Sequence, residues 1–282
     1  MQKLIFKSYL WLSFFCLCTV TASAQYGELD TAARVAPFKI FDNLYYVGNK
    51  EVSAYILSTE KGLVLIDALY GKFVRDIPAA CTRLGLHIQD IRYILCTHAH
   101  YDHCEGAAYL QQLTHAKVGM TEPDWEIVEG KQDDPYKSIL PGPKRDWVIH
   151  DGDSLVLGKT ILYFMQTPGH TVGVLSILLP VKDGGKTYQA CMFGGIGLNF
   201  EGVVRTQQYL ASVARLQELK NISVNLTNHP GPGKIFERAA RLQNRKPGGI
   251  QPFVDPAGFA DWLEDLKKAA LKKLANEKAK TQ

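Results

Sequence analysis

Charge of either sign is nowhere in excess. The 282 residues carry 32 Lys and Arg against 28 Asp and Glu, a net charge of +4. Lys3 and Lys7 lie in an N-terminal leader that has no acids, so its removal leaves 30 basic residues against the same 28. So small and diffuse a surplus argues against a nucleic-acid or anionic-membrane partner. Cysteine is scarce too. Beyond Cys16 and Cys18 of the leader only Cys81, Cys96, Cys104 and Cys191 remain, too few for a disulfide framework in a chain of this length. Cys96 and Cys191 stand in apolar runs and read as buried thiols. There is no low-complexity segment and no residue-level repeat. Nor is there a phosphate-binding Gly loop, since Gly194-Gly195-Ile196-Gly197 lacks the helix-start pattern that such a loop requires. With 46% hydrophobic and 21% charged residues, collagen-like, coiled-coil and wholly disordered chains are excluded.

The leader itself is informative. Lys3 and Lys7 flank a basic start, Tyr9 to Val20 is apolar, and Ala22-Ser23-Ala24 precedes Gln25. This is the layout of a secretory signal peptide, residues 1–24, cleaved after Ala24. The apolar run is short for a bilayer span of about 20 residues. No small residue directly precedes Cys16 or Cys18, which argues against a lipoprotein attachment site. The expectation is an exported protein, periplasmic or secreted, with no stable membrane insertion after cleavage. Residues 25–282 read as a single domain.

Short apolar runs separated by turn residues predict strands at Phe38–Ile40, Leu44–Val47, Ser53–Leu57 and Gly62–Asp67. A helix over Lys72–Leu84, a buried strand at Ile91–Cys96 and a helix over Glu105–Thr114 follow. The stretch 120–145 is broken by Pro123, Asp133-Asp134-Pro135 and Pro141-Gly142-Pro143 and reads as an irregular insertion of the kind that covers sites. Strands then recur at Ser154–Leu157, Thr160–Gln166, Leu175–Leu179 and Thr187–Phe193, with a hairpin turn at Asp183-Gly184-Gly185. A helix over Thr206–Leu219, a strand at Ser223–Thr227, and helices over Lys234–Asn244 and Pro256 to about Lys280 complete the chain. Lys268, Lys272 and Lys273 read as a solvated face of that last helix. Strands and helix are thus written twice. The fold class is α/β, an αββα sandwich of two packed β-sheets with helices on the outer faces.

Ile94-Leu95-Cys96-Thr97-His98-Ala99-His100-Tyr101-Asp102-His103 carries the chemistry. A buried strand runs into three histidines and an aspartate within six residues. Residues two apart near a strand end project to one side, so His98 and His100 can converge on one ion. Asp102 and His103 fall where the chain turns into a helix and can face a second. Imidazole with carboxylate suits zinc, and the lack of thiolate ligands argues against a closed structural site. His170, in Thr167-Pro168-Gly169-His170-Thr171, and His229, in Asn228-His229-Pro230-Gly231, also sit on turns at strand ends. His87, His115 and His150 have no such setting.

His-x-His-x-Asp-His after a strand, Pro-Gly-His-Thr, and a final histidine after a short strand together resemble the metallo-β-lactamase superfamily over essentially the whole mature chain. Leu65-Ile66-Asp67 matches the early strand of that family. The resemblance implies two Zn2+ per chain, one held by His98, His100 and His170, the other by Asp102, His103 and His229. It also implies Asp67 as an orienting residue behind the ligands. Two zinc ions about 3.5–4 Å apart can share a water and bring its pKa from 15.7 towards about 7. The resulting hydroxide, oriented by Asp102, would attack a carbonyl carbon.

The branch of the family turns on an absent residue. Glyoxalase II-like thioesterases, homoserine-lactone lactonases, RNase Z-like nucleases and flavodiiron proteins carry a bridging Asp where this chain has Gly195, and Asp183 lies in the preceding hairpin turn. Six ligands without a bridging Asp resemble the third subclass (subclass B3) of class B β-lactamases. Gln251–Gly258 and Asp133-Asp134-Pro135 also resemble segments of that subclass. Cys191 is a rival, as the thiolate ligand of the first subclass. Departures are equally plain. The Gly194–Gly197 turn lacks the serines that help bind the β-lactam carboxylate, Val172-Gly173-Val174 follows Pro-Gly-His-Thr, and no cysteine lies beyond Cys191. The expected function is a dizinc hydrolase opening a cyclic amide, the β-lactam ring foremost. The alternatives are a lactonase or other ester or amide hydrolase on the same scaffold, and a non-catalytic zinc-binding protein. The expected partner is a small-molecule substrate, and the expected state a monomer.

Overall fold

Alternating and continuous burial along the strands sorts the chain into two sheets. The computed structural model describes residues 31–280, so the leader and its cleavage site lie outside the described residues. Thr31–Gln282 forms one compact unit. In the first sheet β1 (Phe38–Phe41), β2 (Leu44–Tyr46), β3 (Tyr55–Thr59) and β4 (Gly62–Ile66) run antiparallel in succession. The helix α1 (Asp76–Arg83) then crosses to β5 (Ile91–Leu95), parallel to β4. Two helices, α2 (Tyr101–Cys104) and α3 (Ala107–Thr114), lead to β6 (Lys117–Met120). After α4 (Glu122–Val128) and a long loop comes β7 (Trp147–Val148), so that β5, β6 and β7 are parallel.

The second sheet begins with four antiparallel strands, β8 (Ser154–Leu157), β9 (Thr160–Gln166), β10 (Leu175–Asp183) and β11 (Lys186–Phe193). Gly184 and Gly185, both at positive φ (55° and 84°), close the β10–β11 hairpin in the conformation that a two-residue turn demands. Helix α5 (Val203–Gln217) returns the chain to β12 (Ile222–Thr227), parallel to β11, before α6 (Ile235–Gln243) and α7 (Pro256–Lys280).

Tyr46, Tyr55, Val64 and Ile66 of the first sheet meet Leu162, Phe164, Ile177 and Met192 of the second in the central core. Each such side chain contributes about 1.5–3 kcal/mol when fully buried. Phe193 and Cys191, on the other face of β11, pack under Tyr209 and Val213 of α5 and Phe259 and Leu263 of α7. This is the αββα arrangement expected from the sequence.

Three elements differ from expectation. The insertion opens with α4, because Pro123 occupies the first turn of that helix, where its missing N–H costs nothing. Two short strands, β6 and β7, extend the first sheet; at four and two residues they carry too little alternation to be legible. Lys273 is not part of a solvated face: its ammonium pairs with Glu277 at 2.9 Å and lies 5.2 Å from the Phe200 ring centroid. No helix among the described residues is long and apolar enough to cross a membrane.

The sheets touch at one end. Leu175 N–H donates to the Thr97 carbonyl at 2.8 Å, and Ser53 N–H to the Asn228 carbonyl at 2.9 Å. The chain leaves β4 at Asp67, β5 at Cys96 just before Thr97 and His98, β9 at Thr167 and β12 at Asn228. Those exits carry the residues singled out above.

Candidate metal centre

His98, His100 and His170 converge. Each offers one ring nitrogen within 4.8 Å of the others, and their ring centroids stand 4.6–4.7 Å apart. All three are buried. Asp102 and His103 stand beside them, within the same 4.8 Å of His98. Asp102 Oδ2 lies 3.2 Å from His103 Nε2 and 3.7 Å from His229 Nε2, and the two imidazole nitrogens are 3.3 Å apart. Six side chains therefore form two adjoining triangles, His98, His100 and His170 in one and Asp102, His103 and His229 in the other. His87, His115 and His150 belong to neither group.

Hydrogen bonds decide which nitrogen each ring presents. His170 Nδ1 bonds the Gly197 carbonyl at 3.0 Å and His229 Nδ1 the Glu51 carbonyl at 2.8 Å, so both rings donate there and turn a bare Nε2 to the centre. His103 Nδ1 lies 2.8 Å from Asp67 Oδ2, which takes its N–H and leaves Nε2 as the nitrogen turned to the centre, where it meets Asp102. Thr97 Oγ1 stands 3.1 Å from His98 Nδ1. His100 is reversed: its Nε2 faces the Asp134 carboxylate at 3.3 Å, an ion-pair contact without hydrogen-bond geometry, and its Nδ1 is left to the centre. Asp67 is fully buried at φ 61° and also accepts from Thr97 N–H at 2.7 Å and Thr97 Oγ1 at 3.0 Å. Behind His170, the Arg205 guanidinium donates to the carbonyls of Gly169 at 2.9 Å and His170 at 2.7 Å.

The donor set fits divalent zinc. His98 Nε2 is buried without a hydrogen-bond partner, an arrangement that costs about 1–3 kcal/mol unless something else satisfies it, and a cation would satisfy it. Burial and the facing histidines hold the His98 imidazolium well below its ordinary range. Burial, then His100, brings that of His170 down to about 3. Burial likewise lowers His229. Neutral imidazoles are the form that ligates. His103 differs: burial pulls it down, but Asp102 and Asp67 outweigh burial and raise it to about 10.

A pH dependence follows for the metal-free chain. His98, His170 and His229 bind protons more readily unfolded than folded, so stability is lost as pH falls below their unfolded value of about 6.5. His103 has the opposite sign. Its contribution is complete below about 6.5 and is lost only as pH rises towards about 10. Urea unfolding of the metal-free protein is expected to show a falling midpoint from about pH 6.5 to about pH 4. A flat profile there would mean that the three rings are not buried as neutral bases.

Two rival features are resolved. Cys191 faces the α5 and α7 layer, its thiol pushed up to about 12 by burial, and takes no part in either triangle. Cys81, Cys96 and Cys104 are likewise free and buried. At Gly195 a Cβ would lie 2.5 Å from Val174 Cγ2 and 2.8 Å from His170 Cβ, so the turn is packed too tightly for a bridging carboxylate. Asp183 is instead clamped by Arg245 through two bonds of 2.8 Å.

Several contributors escaped sequence reasoning. The carbonyls of Glu51 and Gly197 leave no signature in residue type. Asp134 stood in a segment read as a break in the covering insertion and as a resemblance to a subclass, not as a site residue. In the structure, the insertion that carries it runs along the histidine loop. Tyr136 places its ring 5.0 Å from that of His100, and its carbonyl accepts from Tyr101 N–H at 2.8 Å.

The chain belongs to the metallo-β-lactamase superfamily, whose family model matches residues 47–184. The solved native FEZ-1 metallo-β-lactamase from Legionella gormanii is 30% identical, with a TM-score of 0.81 over 89% of this chain and 99% of that one. BJP-1, a subclass B3 metallo-β-lactamase of Bradyrhizobium japonicum, is 29% identical, with a TM-score of 0.79 over 89% of this chain and 98% of that one. Among curated proteins, the cytoplasmic hydroxyacylglutathione hydrolase of Arabidopsis thaliana is 28% identical over 178 residues, 57% of this chain and 63% of that protein. An N-acyl homoserine lactonase of Bacillus cereus is 25% identical over 200 residues, 61% of this chain and 77% of that protein. The chain thus spans less than two thirds of the plant relative. Fold, donor set and neighbours together support a zinc-dependent hydrolase of the β-lactamase type.

Proposed function

We propose that this protein is an exported dizinc hydrolase that opens the β-lactam ring, acting as a monomer in the periplasm or outside the cell. The observation that carries the reading is the pair of adjoining triangles with a glycine at position 195. His98, His100 and His170 would hold one ion, and Asp102, His103 and His229 the other. Zinc, when bound there, supplies Lewis-acid polarisation of a carbonyl oxygen and a nucleophilic water at neutral pH.

The chain's own residues supply the rest. Asp102, only partly buried with 18% of its side chain exposed, is the carboxylate that faces the reacting water and orients it. Burial opposes its ionisation, but His103 outweighs burial and holds it lowered, so the oxygen is an acceptor throughout the working range. Asp67 fixes the tautomer of His103. Arg205 and the Gly197 carbonyl fix the position and tautomer of His170. Tyr136, 40% exposed and with its ring 5.0 Å from that of His100, gives the insertion an apolar surface beside the centre for the substrate's side chain.

A second reading, opening of a lactone, is favoured by the Gly194–Gly197 turn, which offers no hydroxyl to a substrate carboxylate. The lactonase relatives in Bacillus agree with it. Against it stands Gly195, where lactonases of this superfamily carry the bridging Asp. The test is hydrolysis of a chromogenic cephalosporin and of an N-acyl homoserine lactone by the purified mature protein, with zinc and with chelator. Zinc-dependent turnover of the cephalosporin is expected. Turnover of the lactone alone would overturn the β-lactam reading and leave the metal centre standing. Inertness towards both would favour a zinc-binding protein without catalysis.

A further inference from the structure

The two triangles are not held equally. His98, His100 and His170 are enclosed, whereas 36% of the His229 side chain is exposed. Apart from its contacts with Asp102 and His103, the His229 ring is held by one hydrogen bond, to the Glu51 carbonyl. Whatever fixes Glu51 therefore fixes the last member of the second triangle.

Glu51 lies in the loop between β2 and β3. Asn49 Oδ1 accepts the N–H groups of Glu51 at 2.8 Å and Val52 at 2.7 Å, and the Tyr46 hydroxyl donates to the Asn49 carbonyl at 2.5 Å. These bonds shape the loop but leave the Glu51 side chain unconstrained. Its carboxylate is caught by Tyr70, whose hydroxyl donates to Oε2 at 2.5 Å. Burial and Glu51 both push the Tyr70 phenol up, so it stays a donor. Its ring packs edge-on against Tyr101, with centroids 5.5 Å apart, and Tyr101 directly precedes Asp102.

The segment carrying Tyr70 is strained. Asp67 and Leu69 both adopt left-handed backbone, with φ of 61° and 60°, which an aspartate tolerates but which costs Leu69 about 1–2 kcal/mol. Two bonds keep it in place, from Ala68 N–H to the His103 carbonyl at 2.8 Å and from Gly106 N–H to the Leu69 carbonyl at 3.1 Å. One short run after β4 thus reaches the second triangle twice, through Asp67 to His103 and through Tyr70 to Glu51.

We infer that Tyr70, acting through Glu51, is a positioning residue that sets the His229 imidazole against Asp102 and His103 and so selectively governs binding of the second ion. The inference rests on the two-ion reading above. Zinc titration of the metal-free protein against a competing chelator is the test. Tyr70→Phe is expected to weaken the second equivalent about 10-fold and leave the first unchanged. Glu51→Ala is expected to behave alike, and it carries the test if Tyr70→Phe does not fold. Glu51→Gln, which keeps an acceptor for the hydroxyl, is expected to hold near the parent. In the double variant the two losses are expected not to add. Equal weakening of both equivalents, no weakening, or additive losses would overturn the inference. A parent protein that binds a single equivalent would remove the two-ion reading and this inference together. Two equivalents with an indifferent Tyr70→Phe would remove this inference alone.

Discussion

Asp67→Ala is expected to lower the stability of the metal-free protein by about 3–5 kcal/mol, the range for removing one partner of a buried charge pair. Its carboxylate accepts from Thr97 N–H, Thr97 Oγ1 and His103 Nδ1 at 2.7–3.0 Å, and all of these atoms are buried. Truncation leaves each without its partner and asks alanine to occupy φ 61°, a conformation that alanine tolerates less well than Asp or Asn. Asp67→Asn separates the causes, since asparagine tolerates left-handed backbone and keeps one acceptor oxygen while losing the charge. It is expected to cost clearly less than the alanine variant. Urea unfolding of both, without metal, measures the difference. A cost below about 1 kcal/mol for Asp67→Ala, within the range of an ordinary surface change, would show that Asp67 is not the anchor of the histidine loop.

The second large effect is on catalysis. Asp102→Asn keeps the size of the side chain and removes its charge, taking away both an anionic oxygen of the second triangle and the carboxylate proposed above to orient the reacting water. At saturating zinc, kcat on the cephalosporin is expected to fall about 10²–10⁴-fold, the range assigned to a positioned proton acceptor. The loss should appear in kcat and kcat/KM together, because the interaction matters most at the transition state. A rise in KM with unchanged kcat would make Asp102 a binding residue only. Full activity recovered by excess zinc would confine its role to holding the ion.

The candidate site was legible because its ligands are rare residue types at distinctive spacings. His98, His100, Asp102 and His103 share one strand-to-helix turn. His170 and His229 announced themselves by the Pro and Gly that follow or precede them at strand ends. The supports were not legible. The Glu51 and Gly197 carbonyls exist at every residue, and their use depends on which loops the fold brings within 3 Å. Asp134 comes from a long loop whose path along His100 no periodicity encodes. Tyr70 belongs to no motif in the sequence, and only its approach to Glu51 shows its use.

The same division runs through the fold. Period-two alternation and turn residues determined the strands of both sheets, and the strand-helix pattern written twice determined two layers with outer helices. Both depend on side-chain placement within a few neighbouring residues. The parallel edge strands β6 and β7, the helix begun at Pro123 and the burial of Lys273 against Phe200 and Glu277 were decided by tertiary packing. By itself the sequence determined which side chains could bind an ion, because ligand chemistry is a property of residue type. The tertiary structure decided which ring nitrogen each histidine presents and how firmly it is held, because those depend on hydrogen bonds between residues as far apart as Glu51 and His229.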